Sequence, residues 1–388
     1  MNRLITAACT VFLLGIASAC SVTESNEPTA EGGSGAIRVE SSADECALTA
    51  AEAPSGNVAF KVKNTGSEVT EFYLYAEDGL RIVGEIENVG PGLSRDLVVR
   101  AAPGTYVTSC RPGMTGKGIR SEFKVTDSGK DAKITGVDQA TIDTATSQYA
   151  AYVKDQASQL VDQTMAFTAA YKDGQDDEAR KLFPLARGYW ERIETVAESF
   201  GDLDPKMDLR EADLEEGQEW TGWHRIEKDL WPPASGYKQL SPAERATYAD
   251  DLLSNTNILD ERVQTLEYTV DQIGNGSKGL LDEVAAGKIT GEEDIWSHTD
   301  LYDFQANVDG ARVAYEGLKP LLEVKDAALS TQIESAFDAL QVLLDKYKVG
   351  EEDFVFYDKV TEPQRKELSD AVNALAEPLS KMTGAITL

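Results

Sequence analysis

The sequence predicts a multidomain chain, an N-terminal all-β sandwich followed by an all-α domain, and a change of periodicity carries that prediction. From about residue 36 to 135, apolar residues alternate with the period of a strand, and glycine or proline separates the runs at short spacing, as in a small sandwich or Greek-key barrel. From Thr141 onward glycine and proline thin out, and apolar residues recur every three or four positions, as on one face of a helix. A chain of 388 residues is also too long for one ordinary core.

The N-terminus reads as a processing signal over residues 1–19. Arg3 supplies positive charge, and "LITAACTVFLLGIA" is an apolar run too short to span a bilayer as a stable helix. Ala17, Ser18 and Ala19 directly before Cys20 resemble a bacterial lipobox, which implies that Cys20 is lipidated and becomes the mature N-terminus. Ala17 stands where leucine is usual, and plain cleavage after Ala19, leaving a free thiol, is the alternative. Residues 20–35 then form a polar, Gly/Ser-rich tether of the kind a lipid-anchored domain needs.

In the β region, Val58, Phe60 and Val62 of "NVAFKVKNTG" share a face before a turn at Asn64–Gly66. Phe72 and Leu74 of "EFYLYAEDG" do the same before Asp78 and Gly79. In the helical region, spanning residues 140–388, Phe183, Ala186, Trp190, Ile193, Ala197 and Phe200 make one apolar stripe along "RKLFPLARGYWERIETVAESF". Ser241, Pro242 and Glu244 spell a helix start with a capping box, and Thr361, Pro363 and Gln364 repeat the device. The region is long enough for two bundles, with "GNGSKG" (274–279) as the break between them.

Charge and cysteine usage narrow the function. With 37 basic against 67 acidic residues, the net charge of −30 repels nucleic acid and anionic lipid and draws in cations. The 41% hydrophobic and 27% charged content is that of a globular chain. Of four cysteines, Cys9 leaves with the signal and Cys20 takes the lipid. Cys46 and Cys110 remain, and an oxidising compartment favours a disulfide between them.

The stretch "WTGWHRIEKDLW" holds His224, one of two histidines, with Glu227 three positions on. On a helix the two converge on one side, and imidazole with carboxylate suits zinc, iron or copper. A buried, satisfied histidine is the competing reading. Glu191 and Glu194 of "YWERIE" are also three apart, each one position after a residue of the apolar stripe, so both need a partner cation or donors. If that helix packs beside the His224 helix, four ligands meet, and Asp208 or Asp213 from the acidic segment between them adds an oxygen. The second histidine, His298, precedes Asp300 and Asp303; it either approaches the same cleft or caps a helix start. The His-Glu-x-x-His pattern is absent, and two histidines do not readily furnish a Ser-His-Asp triad, so the residues argue against a hydrolase.

"GYWERIETVAESFGDLDP", "GWHRIEKDLW" and "SHTDLYDFQANVDGA", in that order, resemble the signature blocks of imelysin-like domains in EfeO-type iron-uptake proteins. The likeness covers nearly all of residues 140–388. It implies paired four-helix bundles and a metal site at His224 and Glu227, with Glu191, Glu194 and Asp208 as acidic companions. It also implies an extracytoplasmic, lipid-anchored protein that captures Fe2+ or Fe3+ and delivers it to a membrane permease. The implied partners are an EfeU-type permease and an EfeB-type haem peroxidase. Full-length members carry a cupredoxin-like N-terminal domain, which agrees with the β reading, and their proposed second metal site corresponds to Cys46, Glu71 and Cys110. The β region contains no histidine, so an ordinary blue-copper centre is excluded. Copper or zinc remain candidates beside iron. A Cys46–Cys110 disulfide would remove the thiolate site. The rival functions are a copper-dependent ferroxidase component, a metallopeptidase, a metal-dependent polysaccharide- or chelate-binding lipoprotein, and a purely structural lipoprotein.

Overall fold

The computed structural model describes residues 35–129, 134–214, 217–350 and 353–388. The signal segment and Cys20 lie outside the described residues.

Among the described residues, nine strands make the N-terminal region: β1 (Ile37–Ser41), β2 (Cys46–Leu48), β3 (Glu52–Pro54), β4 (Gly56–Asn64), β5 (Thr70–Tyr75), β6 (Ile82–Val89), β7 (Ser94–Ala101), β8 (Gly104–Pro112) and β9 (Ile119–Thr126). They form one sheet in the order β2-β1-β4-β7 and a second in the order β3-β9-β8-β5-β6. The β1/β4 and β3/β9 pairs are parallel and the others antiparallel. Alternation does what it promised: Val58, Phe60, Val62, Phe72 and Leu74 are buried. Phe60 of one sheet meets Phe72 and Phe123 of the other, with ring centroids 5.2 and 5.4 Å apart, and these rings tie the two layers together.

Helices follow: α1 (Gln139–Lys172), α2 (Asp176–Glu191), α3 (Glu194–Glu198), α4 (Asp204–Met207), α5 (Trp223–Leu230), α6 (Pro242–Val263), α7 (Val270–Ala286), α8 (Asp300–Leu344), α9 (Glu362–Leu379) and α10 (Met382–Thr387). A two-residue pair, β10 (Lys348–Val349) and β11 (Asp353–Phe354), sits between α8 and α9. α1 packs on α2 and α6, while α7 packs on α9 and α10; α8 reaches α1, α2, α7 and α9 and so completes both groups. Its helical path is interrupted at Asp326, whose carboxylate accepts from the Leu329 N–H at 2.9 Å and restarts the helix as a cap would. The capping boxes at Ser241/Glu244 and Thr361/Gln364 both form.

Two expectations change. "GNGSKG" breaks nothing; it lies inside α7. A Cβ on Gly274 would strike the Thr383 hydroxyl, and one on Gly279 would crowd Thr195, so these glycines let neighbouring segments approach a continuous helix. The stripe from Phe183 to Phe200 is buried through Ala197 but is not one helix, because the chain leaves helical geometry at Ile193, between α2 and α3.

Residues Ala36–Leu388 form one compact unit, and α7 is the shared wall. Asp271 accepts from the Arg100 N–H at 2.6 Å, and Asn275 donates to the Val98 carbonyl at 2.9 Å.

Candidate metal site

The site is built by bringing the end of α4 against the start of α5. Gly222, just before α5, has φ of 83° and leaves no room for a side chain against the Met207 carbonyl. Asp208 follows Met207, so this close approach sets it beside His224 on the first turn of α5. Trp223 points the other way and stacks on Phe167, with ring centroids 5.4 Å apart; it anchors the helix and is not a ligand.

His224 is 2% exposed. Its Nδ1 lies 3.1 Å from Glu227 Oε2. Its Nε2 lies 3.3 Å from Asp208 Oδ1 and 3.4 Å from Glu293 Oε1, yet has no aligned hydrogen-bond partner among the described residues. Glu293 comes from the segment before α8. The other oxygen of Glu227 accepts from the backbone N–H groups of Trp296, at 3.0 Å, and Ser297, at 2.7 Å. Three sets each hold one possible ligand atom per residue within 4.8 Å of one another: Asp208, His224 and Glu293; His224, Glu227 and Asp294; and Glu191, Glu194, Asp208 and Glu293.

Two fully buried cations sit among these acids. Arg187 pairs with Glu191, with Asp208, with Glu293 at 3.1 Å and with Asp303 at 3.2 Å. Lys288 pairs with Glu191 at 3.1 Å and Glu194 at 3.0 Å. Burying charges is costly unless they are paired in this way, so the arrangement is locked by mutual need. Burial opposes ionisation of Asp208 and Glu293, but Arg187 and His224 hold Asp208 low, and Lys288 and His224 hold Glu293 well below the usual range. Burial pushes Asp294, Asp303 and Glu194 the other way, well above it. Burial and Arg187 oppose a charge on the His224 ring, yet the carboxylates of Asp208, Glu227 and Glu293 outweigh them and raise its pKa. The two carboxylates held low, Asp208 and Glu293, are therefore the ones that face Nε2.

Asp208, Glu194 and Glu293 also line a cleft of about 510 Å3, whose opposite wall is β5 and β6 with Glu71, Glu85 and Glu87. Burial raises Glu85 to about 8 and Glu87 to about 7.

Of the predicted ligands, His224 meets Glu227 on its Nδ1 side and Asp208 on its Nε2 side, and no set among the described residues holds all three. Glu191 and Glu194 are both held by Lys288 and belong, with Asp208 and Glu293, to the set without His224; Glu191 also pairs with Arg187. Asp213 is paired with Arg210 at 2.7 Å, away from the ring. Asp303 reaches the cluster through Arg187. His298 contributes backbone, with φ of 60°, and its N–H donates to the Asp294 carbonyl at 2.7 Å. Sequence reading missed Glu293, Asp294, Arg187 and Lys288. Arg187 was findable: it lies four residues after Phe183, on the buried face. Glu293 and Asp294 stand in "GEED", just ahead of the third signature block.

The sandwich site does not assemble. Cys46 and Cys110 are joined in a disulfide, so neither offers a thiolate. Cys110 pairs in register with Phe72 and faces the core, whereas Glu71 pairs with Arg111 and faces the cleft. There Glu71 forms an ion pair with Arg111 at 3.0 Å and accepts from the Tyr73 hydroxyl at 3.2 Å. Strand alternation thus separates the expected ligands.

A family of helical proteins with a buried His-x-x-Glu pair is the class this arrangement defines. The imelysin family model (Peptidase_M75) matches residues 145–382, and the chain belongs to that family. It is 47% identical over 252 residues to an "Efem/EfeO family lipoprotein" of Staphylococcus haemolyticus (strain JCSC1435), covering 64% of this chain and 85% of that protein. It is 44% identical over 247 residues to proteins of the same name in Staphylococcus aureus strains MRSA252 and NCTC 8325 / PS 47, covering 63% of this chain and 85% of each. The chain is of this EfeO type. Among the described residues no helix is long and apolar enough to cross a membrane.

Proposed function

We propose that this chain is the extracytoplasmic metal-binding component of an iron-uptake system, capturing Fe2+ or Fe3+ and passing it to a membrane permease. The observation that carries this reading is the His224 Nε2 atom, buried, without an aligned partner, and flanked by the ionised oxygens of Asp208 and Glu293 beside an acidic cleft. Imidazole plus carboxylates is a donor set suited to iron, and the negative cleft concentrates cations at its mouth. A metal binds only the unprotonated nitrogen, so any proton on Nε2 competes with loading. Membership among EfeO-type lipoproteins supports a lipid anchor at Cys20 and work alongside an EfeU-type permease and an EfeB-type haem peroxidase. With its cysteines joined, the cupredoxin-like sandwich acts as the far wall of the cleft rather than as a copper ferroxidase.

Calorimetric titration of Fe2+, Fe3+ as its nitrilotriacetate complex, Cu2+ and Zn2+ into wild type and the Asp208→Asn/Glu293→Gln double variant tests this. Iron binding in wild type and its loss in the folded variant is the expected result. Equal binding in both would sink the assignment.

A further inference from the structure

We infer that the loop between β8 and β9 is an anion site on the sandwich side of the cleft, and that it takes a small ligand through carboxylate or phosphate oxygens. The inference goes beyond the proposed function, because it stands whether or not a metal occupies the opposite wall.

Charge reverses locally here. The chain carries 67 acidic and 37 basic residues, yet "RPGMTGKGIR" (111–120) holds Arg111, Lys117 and Arg120 and no acid. Arg111, Arg120 and Arg210 line the cleft. Arg111 is paired with Glu71 at 3.0 Å, and Arg210 with Asp213 at 2.7 Å. Arg120 has no acidic partner among the described residues, and neither has Lys117; both are exposed. The Arg120 guanidinium is nevertheless fixed. It lies over the Tyr75 ring, 4.8 Å from the centroid, and donates to the carbonyls of Lys117 at 2.8 Å and Gly79 at 3.0 Å. These two bonds leave the rest of its fork of N–H groups for an anion. Of the acids nearby, Asp78 is spent on the N–H groups of Leu80 and Arg81, at 2.9 and 3.0 Å. Glu68 lies against Gly113, at the start of the loop.

The backbone adds donors. φ is positive at Gly113, Met114, Gly116 and Gly118 but not at Thr115 or Lys117 between them. Arg111 takes the carbonyls of Met114 and Gly116, at 3.3 and 3.0 Å, and so holds Met114 in a region that non-glycine residues avoid. The N–H groups of Thr115, Gly116 and Lys117 are left without a partner among the described residues. Successive N–H groups on a backbone of alternating hand form a concavity that binds anions. A guanidinium beside them matches the paired oxygens of a carboxylate or phosphate.

The test is calorimetric titration of inorganic phosphate and, separately, of citrate into the metal-free protein. At least one should bind at a single site, and the tighter of the two tells a phosphate ligand from an organic acid. Arg120→Gln should weaken that binding about 10-fold or more. Arg38→Gln, which removes an exposed arginine from β1, should leave it unchanged. In 15N-labelled wild type the anion should shift the amide signals of Thr115, Gly116 and Lys117, a reading that needs no variant to fold. Binding of neither anion, equal affinity in wild type and Arg120→Gln, equal losses in Arg120→Gln and Arg38→Gln, or shifts that spare the loop would each overturn the inference. Failure of iron to bind would overturn the proposed function alone.

Discussion

Two sets of metal ligands are expected in this chain, one on helices and one in the sandwich; the structure gathers residues of the first around His224 and separates those of the second. In the helical region, a spacing of three residues keeps His224 and Glu227 on one face wherever the helix lies. In the sandwich, Glu71 and Cys110 belong to neighbouring strands offset by one register position, and that offset sends them to opposite faces of one sheet. A spacing within one helix is therefore evidence of convergence. A cysteine and a glutamate on different strands are evidence only once the register is known.

The strongest way to press this contrast is Arg187→Met. It removes the cation shared by Glu191, Asp208, Glu293 and Asp303, and breaking buried pairs of this kind costs about 3–5 kcal/mol. Urea denaturation of the metal-free protein should show that loss, and excess iron should recover part of it. Next comes the Cys46→Ser/Cys110→Ser variant. Opening a cross-link across 64 residues should cost about 4 kcal/mol, while iron titration at the helical site stays unchanged. A fall in metal stoichiometry would restore the sandwich site. Lys288→Met is subtler. It frees the set of Glu191, Glu194, Asp208 and Glu293, and equilibrium dialysis should find an additional equivalent of divalent cation bound.

The smallest effect is a pH slope from the cleft's sandwich wall. Burial raises Glu85 to about 8 and Glu87 to about 7, so between about pH 4.5 and 8 the folded chain holds protons that the unfolded chain releases. Stability contributed by these groups is present at low pH and falls as pH rises through that window. Asp204 and Asp300, each raised to about 7, act in the same direction. Urea midpoints at pH 5 and pH 8 should differ accordingly, and Glu85→Gln should shrink the difference.

What could be read in the sequence was whatever repeats locally. Val58, Phe60 and Val62 declared their face by alternation, and Ser241 with Glu244 declared a helix start, because both signals are complete within a few residues. The His224–Glu227 pair was visible for the same reason. Glu293 was not, since nothing in "GEED" reveals that its chain segment returns to α5 some 70 residues later. "GNGSKG" misled because glycine permits both a break and a close contact, and only the neighbours Thr195 and Thr383 decide which.

The shared wall has a mechanical consequence. Along α7, Asp271 and Asn275 spend their polar groups on the backbone of β7, as firmly as a sheet neighbour would. The passage from strands to helices is thus a boundary in sequence but not a seam in space. A protein nicked between Thr126 and Gln139 should stay together in a gel-filtration column until denaturant separates its fragments. Co-elution of the fragments would mean that the cleft keeps both its walls without the covalent link there.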